Sequence, residues 1–169
     1  MKKLAVLSLA LLAACATMGN RPTATATLAP TANNTASGTV RFVQLADGSV
    51  DVTVDLANVP AGVHGFHVHE KGDCGDNGNA AGGHFNPTGT PHGAPNADPK
   101  HAGDFGNVTA DASGRVSTRF NTRSVTVEPG TTSAVGHAVI LHANPDDLTT
   151  QPTGNAGGRI ACGVVTMNP

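Results

Sequence analysis

The middle of the chain shows a regular alternation of apolar and polar residues. Between residues 50 and 56, three valines and a leucine alternate with two aspartates and a threonine. Because successive side chains of a strand point to opposite faces of a sheet, this period of two predicts a strand with one buried face. The preceding pair Asp47-Gly48 is typical of a hairpin turn.

Further short segments of the same kind recur along the chain, with turn residues such as those at 111–114 between them. No segment shows a helical period of useful length. Several short strands between turn signals predict an all-β fold, an antiparallel sandwich or barrel. The predicted strands are residues 39–45, 50–56, 63–70, 101–110, 115–121, 136–143 and 159–166.

Two long segments, 71–100 and 144–158, are rich in Gly, Pro and Asn and have no apolar period. In a compact domain, loops of this length are either functional or disordered. The first contains His84 and His92, which favours a function for it.

The N-terminus has the composition of an export signal. Lys2 and Lys3 precede an apolar run at 4–14, which is shorter than the roughly 20 residues that span a bilayer. We therefore interpret residues 1–14 as a signal peptide. Residues 12–15, Leu-Ala-Ala-Cys, resemble a bacterial lipobox, which predicts a lipid on Cys15; the alternative is ordinary cleavage that leaves Cys15 free.

Residues 16–36 contain mostly Thr, Ala, Asn and Pro, with one charged residue. Such a segment buries too little apolar surface to offset its chain entropy, which predicts a flexible tether. The expected organisation is a signal peptide at 1–14, a lipidated cysteine and tether at 15–37, and one domain at 38–169. We expect an exported protein on the periplasmic side of a bacterial membrane, attached only through Cys15.

The cysteine count and the net charge further restrict the class of protein. The chain has three cysteines, and acylation of Cys15 would leave Cys74 and Cys162 to pair in an oxidising compartment. Without Lys2 and Lys3, eight basic residues stand against twelve acidic ones, a formal charge of −4. This charge does not fit a nucleic-acid-binding protein.

The histidines suggest a metal site. His67 and His69 lie two apart on a predicted strand, so both rings point to the same face. Alone, such a pair is as often two surface histidines as a metal site. However, six of the eight histidines of the chain occur in motifs of this kind: His67, His69, His84, His92, His101 and His142.

Two donor sets can be drawn from these motifs. One has three imidazoles and a carboxylate, which suits tetrahedral zinc. The other has three imidazoles and needs a fourth, an environment that suits copper(II). Seven ligands for two four-coordinate ions require one shared histidine. The first set is His84, His92, His101 and Asp104, and the second is His67, His69 and His142.

Four segments resemble the copper/zinc superoxide dismutase family, over about residues 38–167. They are 65–70 (GFHVHE), 83–87 (GHFNP), 101–108 (HAGDFGNV) and 154–163 (GNAGGRIACG). The resemblance implies an antiparallel Greek-key β-sandwich or flattened barrel with two long functional loops. It also implies one copper and one zinc per subunit, and dismutation of superoxide to oxygen and hydrogen peroxide.

The resemblance assigns roles to individual residues. His84 would bridge the two metals and take up a proton during turnover, and Arg159 would supply positive charge beside copper. Asp146 would hydrogen-bond one copper-bound and one zinc-bound histidine, unless it is a solvated loop charge like Asp147. Cys74 and Cys162 would form the family's disulfide. The implied copper ligands are His67, His69, His84 and His142, and the implied zinc ligands are His84, His92, His101 and Asp104.

Some features stay open or depart from the family. His64 matches a packed structural position, and His137 has no assigned role. Loop 144–158 looks shorter than in the better-known family members and has no Lys or Glu, which puts long-range steering of the substrate in doubt. A homodimer is left open. The alternative function is a non-catalytic periplasmic module of the same fold that binds or sequesters copper and zinc, although such a module would not be expected to keep every copper ligand and the arginine.

Overall fold

The computed structural model describes residues 21–169, and the predicted signal peptide and Cys15 lie outside this range. It contains eight strands and one short 3-10 helix, η1. The strands are β1 (Thr23–Pro30), β2 (Ser37–Gln44), β3 (Val50–Ala57), β4 (Gly62–His69), β5 (Asp104–Ala110), β6 (Val116–Thr122), β7 (Ala138–His142) and β8 (Arg159–Met167), and η1 spans Asp76–Ala81.

All strand pairs are antiparallel, and the spatial order is β5-β4-β7-β8-β1-β2-β3-β6. The sheet curls into a nearly closed barrel, so the edge strands β5 and β6 come near each other. The predicted all-β antiparallel fold is confirmed, and the predicted strands lie within a few residues of the observed ones.

The tether prediction is wrong for residues 23–30. These residues form β1, which pairs with β2 on one side and with β8 on the other. Ala24, Ala26 and Leu28 are buried and alternate with threonines. The segment has the period of a strand, but its inward-facing residues are mostly alanine, so its low hydropathy concealed a central strand.

The start of β5 also differs from the prediction. The sequence suggested a strand from His101, whereas residues 101–103 form a turn in which the Asp104 amide donates to the His101 carbonyl. Gly103 passes so close to β4 that an added Cβ would lie 2.1 Å from the Val68 carbonyl oxygen. Only glycine allows this close packing, and the regular strand begins after it, at Asp104.

The core lies inside the barrel. Each strand contributes the residues of its inner face; in β3 these are Val50, Val52, Val54 and Leu56. β7 is buried on both faces. Its inner face joins the main core, while Ala138 and Ile140 on the outer face pack against Ala81 and Cys162. The loop that contains η1 therefore covers the outside of β7.

The loop between β4 and β5 is held by a disulfide from Cys74 to Cys162 of β8, which confirms the predicted pairing. The loop between β7 and β8 lies near it, with Asp146 on one loop contacting His92 on the other. Among residues 21–169, no helix has the length and apolar character needed to cross a membrane.

Candidate metal centre

β4 divides its side chains between the core and the candidate site. Phe66 and Val68 point into the barrel and belong to the main core. Because side chains alternate along a strand, His67 and His69 point outward. They are nevertheless buried, since the long loops cover this face. The register shifts between Gly65 and His67, so the strand is irregular where the first of these histidines lies.

The first group of donors contains four histidines. One ring nitrogen from each lies within 4.8 Å of all the others, and all four residues are buried. They come from β4, from the loop after β4 and from the end of β7. The group consists of His67, His69, His84 and His142, the set that the family resemblance implied for copper.

Carbonyl groups fix the tautomers of two of these rings. The Nδ1 atom of His69 lies 3.0 Å from the Gly82 carbonyl oxygen, and that of His142 lies 3.2 Å from the Gly157 carbonyl oxygen. Each Nδ1 must therefore carry the proton and donate. The two Nε2 atoms then present lone pairs to each other across 3.2 Å. Two facing lone pairs are favourable only when a cation lies close to both.

Asp146 fixes two further rings. Its Oδ2 accepts from Nε2 of His67 at 2.8 Å, and its Oδ1 accepts from Nε2 of His92 at 3.0 Å. Both histidines are thereby left with an unprotonated Nδ1. Neither Nδ1 has a hydrogen-bond partner within the described chain, although both are buried. Asp146 thus connects the two donor groups and is no solvated loop charge.

The second group is arranged around Asp104. Its Oδ1 lies 2.7 Å from Nδ1 of His84, 3.0 Å from Nδ1 of His92 and 3.2 Å from Nδ1 of His101. Its Oδ2 accepts from the backbone amides of Gly93 and His101, both at 3.0 Å. The carboxylate is thus oriented with one oxygen toward three imidazoles. This is the set implied for zinc.

His84 is the one residue that belongs to both groups of the described chain. Its Nδ1 faces Asp104, and its Nε2 lies in the first group without a hydrogen-bond partner among residues 21–169. The His84 ring is 4.0 Å from that of His67, measured between centroids. The ring therefore separates two neighbouring sites and offers a nitrogen to each.

The protonation states suit metal binding. Burial, and then the neighbouring histidines, hold the pKa of His67 and of His69 well below the usual value. Burial also lowers the pKa of His142 to about 4. Neutral imidazoles with free lone pairs are therefore expected at pH 7. Burial opposes ionisation of Asp104, but hydrogen bonds from His84 and Gly93 outweigh it and lower its pKa.

These observations test whether copper and zinc fit the site, and both do. Four buried ring nitrogens, on His67, His84, His92 and His101, have no hydrogen-bond partner within the described residues. An unpaired buried polar atom is costly, and cations bound in the two groups would together satisfy all four nitrogens. Four nitrogens suit copper(II), and three nitrogens with one carboxylate suit tetrahedral zinc.

Arg159 is held at the edge of the first group by the loop that covers β7. Its guanidinium donates to the carbonyl oxygens of Gly78 and Gly82, and the Gly82 carbonyl also accepts from His69. Gly78 has a φ of 82°, and an added Cβ there would lie 3.3 Å from Cδ of Arg159. The charge of Arg159 is therefore fixed beside the candidate copper ligands.

Two supporting residues were not singled out from the sequence. The Asn107 side chain pairs with the backbone of Asp146, donating to its carbonyl at 2.9 Å and accepting from its amide at 2.8 Å. Gly154 leaves room for Asp146, since an added Cβ would lie 1.8 Å from Oδ1. Both residues fall within the segments that resemble the family, and that was the available signal.

The two remaining histidines lie outside both donor groups. Nδ1 of His64 contacts the His142 carbonyl oxygen at 2.8 Å, and its Nε2 contacts that of Pro60 at 2.7 Å, so the buried ring is packed and hydrogen-bonded as expected. His137 donates from Nδ1 to the His69 carbonyl at 3.1 Å and stacks on Phe85. These contacts hold the His137 ring against the C-terminal end of β4.

A family model described as copper/zinc superoxide dismutase (SODC) matches residues 36–165. The chain is also similar to a solved structure described as a crystal structure analysis of the clock protein EA4, with 39% sequence identity. That match has a TM-score of 0.77 and covers 85% of this chain and 93% of the other. Both donor groups and Arg159 lie inside the range of the family match.

Proposed function

This chain belongs to the copper/zinc superoxide dismutase family, and we propose that it converts superoxide anion to oxygen and hydrogen peroxide. The observation that carries the proposal is the position of His84. Its two nitrogens face two separate donor groups, one rich in nitrogen and one with a carboxylate. A site that only sequesters metals has no need to join two different ions through one ring.

The proposed ligands follow the two groups, with one copper and one zinc per subunit. His67, His69, His84 and His142 would hold copper, which would supply one-electron redox chemistry. His84, His92, His101 and Asp104 would hold zinc, whose site is closed by four protein ligands and therefore structural.

The chain's own residues would bind and orient the substrate. Superoxide is a small anion, and the guanidinium of Arg159 is the fixed positive charge next to the first group. Its carbonyl partners, Gly78 and Gly82, prevent it from swinging into solvent. A preorganised charge stabilises an anion without reorganisation at the moment of reaction.

The surrounding residues would also control protons. Asp146 holds protons on Nε2 of His67 and of His92, so that Nδ1 of each ring stays free to bind metal. Nε2 of His84 is buried and has no hydrogen-bond partner among residues 21–169, so a proton could be held there during turnover. We therefore assign His84 a proton-carrying role together with its bridging role.

Loading experiments test the proposal. The mature domain would be stripped with a chelator and reloaded with zinc alone or with copper and zinc, and superoxide decay would be followed by stopped-flow absorbance. We expect about one of each metal per chain and activity only with copper. Stoichiometric binding of both metals without dismutation would instead identify the chain as a sequestering module.

The location of the protein is a separate proposal. The signal-like residues 1–14 and the lipobox-like segment before Cys15 support export and a lipid anchor on the periplasmic side of a bacterial membrane. Mass spectrometry of the N-terminal peptide would detect the lipid. The sequence leaves a homodimer open, and sedimentation analysis would measure the oligomeric state.

A further inference from the structure

The loop between β7 and β8 forms two hydrogen bonds with the backbone of a candidate zinc ligand. The amide of His92 donates to Oε1 of Gln151 at 2.8 Å, and Nε2 of Gln151 donates to the His92 carbonyl at 2.8 Å. No backbone group of the described chain pairs with either atom of His92. The side chain of Gln151 thus takes the place that a neighbouring strand would occupy.

This pair of hydrogen bonds requires an amide side chain. One atom must accept from an N–H and another must donate to a C=O, and the planar amides of Asn and Gln carry both side by side on one carbon. Gln151 is itself held, because its Nε2 also donates to the Thr149 carbonyl at 3.2 Å. Asp147 in turn caps this segment through the amides of Thr149 and Thr150. The side chain of Gln151 is therefore held by an ordered turn when it pairs with the backbone of His92.

The orientation of the His92 ring depends on its backbone. The ring must direct Nδ1 toward the Asp104 side and Nε2 toward Asp146 at the same time. His92 lies in a long stretch without regular structure between η1 and β5. With no strand or helix to fix its peptide groups, rotation of the backbone would move both nitrogens.

We propose that Gln151 is a positioning residue for zinc, acting through the backbone of His92. The proposal rests on the proposed zinc site and adds a residue from the other loop to it. Partners one step removed from a metal typically change its affinity by about 10- to 100-fold. Because Gln151 is exposed at the surface, the lower end of this range is expected.

Zinc affinity, measured by competition with a chromophoric chelator, tests the proposal. For Gln151→Ala we expect the zinc Kd to rise about tenfold, which corresponds to about 1.4 kcal/mol. Gln151→Glu keeps an acceptor for the His92 amide. It replaces the donor to the His92 carbonyl with a second acceptor, so it should weaken zinc binding as well. The control is Thr153→Ala, in the same loop, whose side chain has no hydrogen bond among the described residues.

A second measurement needs no metal. Hydrogen exchange of the His92 amide in the metal-free protein should be faster in Gln151→Ala than in Thr153→Ala. An unchanged exchange rate, or a zinc Kd within twofold of that of the unmodified protein, would overturn the role of Gln151. If the unmodified protein bound no zinc at all, the proposed function itself would fail, and the two failures are therefore distinguishable.

Discussion

At the scale of single residues, the candidate centre depends on where individual protons and individual Cβ atoms lie. Carbonyl oxygens and Asp146 hold the protons on the outer nitrogens of the rings, and this directs the lone pairs inward. Conversely, Gly154 must lack a side chain for Asp146 to reach His92. Such requirements make point substitutions informative.

Substitution of Gly154 by alanine should disrupt both sites. The added Cβ would lie 1.8 Å from Oδ1 of Asp146 and 2.7 Å from Nε2 of His92, and Gly154 has a φ of 66°. We expect Asp146 to be displaced and the affinity for copper and zinc to fall by at least about tenfold. Equilibrium dialysis would measure it. Gly158→Ala is the matched control, since nothing lies within 4 Å of its added Cβ, and equal metal binding by both variants would contradict the role of Asp146.

Substitution of Arg159 by alanine should slow dismutation. Removal of the fixed positive charge should lower kcat/KM by about tenfold and reduce its dependence on ionic strength. Stopped-flow decay of superoxide at several salt concentrations measures both. Arg119→Ala removes an exposed arginine on β6, paired with Asp51, and serves as the control. An unchanged rate and salt slope would remove Arg159 from the mechanism.

At the scale of elements, β1 and the two long loops show which parts of the structure could be predicted from the sequence. Both loops could be recognised from the sequence by their Gly, Pro and Asn content, and the first also by His84 and His92, which match metal-ligand patterns. β1 could not, because its buried residues Ala24 and Ala26 are small and its stability comes from pairing with β2 and β8. Gln151 was also missed, since nothing in the sequence indicates which backbone an exposed amide will contact.

Truncation distinguishes a strand from a tether. A chain that begins at Arg21 retains all of β1 and should unfold cooperatively, with the same Tm as the full-length chain. A chain that begins at Thr31 leaves β2 and β8 without their common neighbour and exposes core residues such as Phe42. We expect this variant to lose cooperative thermal unfolding in circular dichroism. Equal Tm values for the two chains would support the original tether interpretation.

At the scale of the whole molecule, the donors converge because the barrel brings distant segments together. His67 and His142 lie on neighbouring strands, while His84, His92 and Asp146 lie on two loops that cover them. Sequence motifs indicate the candidate ligands and their chemistry, whereas the convergence depends on the strand order and on the disulfide. Since only the folded chain brings these groups together, metal binding should stabilise the fold.

The stability of the metal-free protein should depend on pH in a defined window. Burial lowers the pKa of His142 to about 4 in the folded state, and lowers that of His67 and His69 as well. Between pH 6.5 and about 4 the unfolded chain therefore binds more protons, and the free energy of unfolding should fall as the pH falls. The slope is at most about 1.4 kcal/mol per pH unit for each such histidine.

Urea denaturation of the metal-free domain at pH 7.5, 6.0 and 5.0 would measure this dependence. Replacement of His142 by a neutral residue such as glutamine should reduce the slope. A free energy of unfolding that stayed constant over this range would show that these histidines are not buried in their neutral form. It would contradict the arrangement of neutral imidazoles in the first donor group.

Anomalous X-ray diffraction at the copper and zinc absorption edges, on crystals loaded with both metals, would show whether His84 lies between two different ions. We expect two peaks on opposite sides of the His84 ring: copper among His67, His69 and His142, and zinc among His92, His101 and Asp104. A single peak, or two peaks that do not share His84, would contradict it.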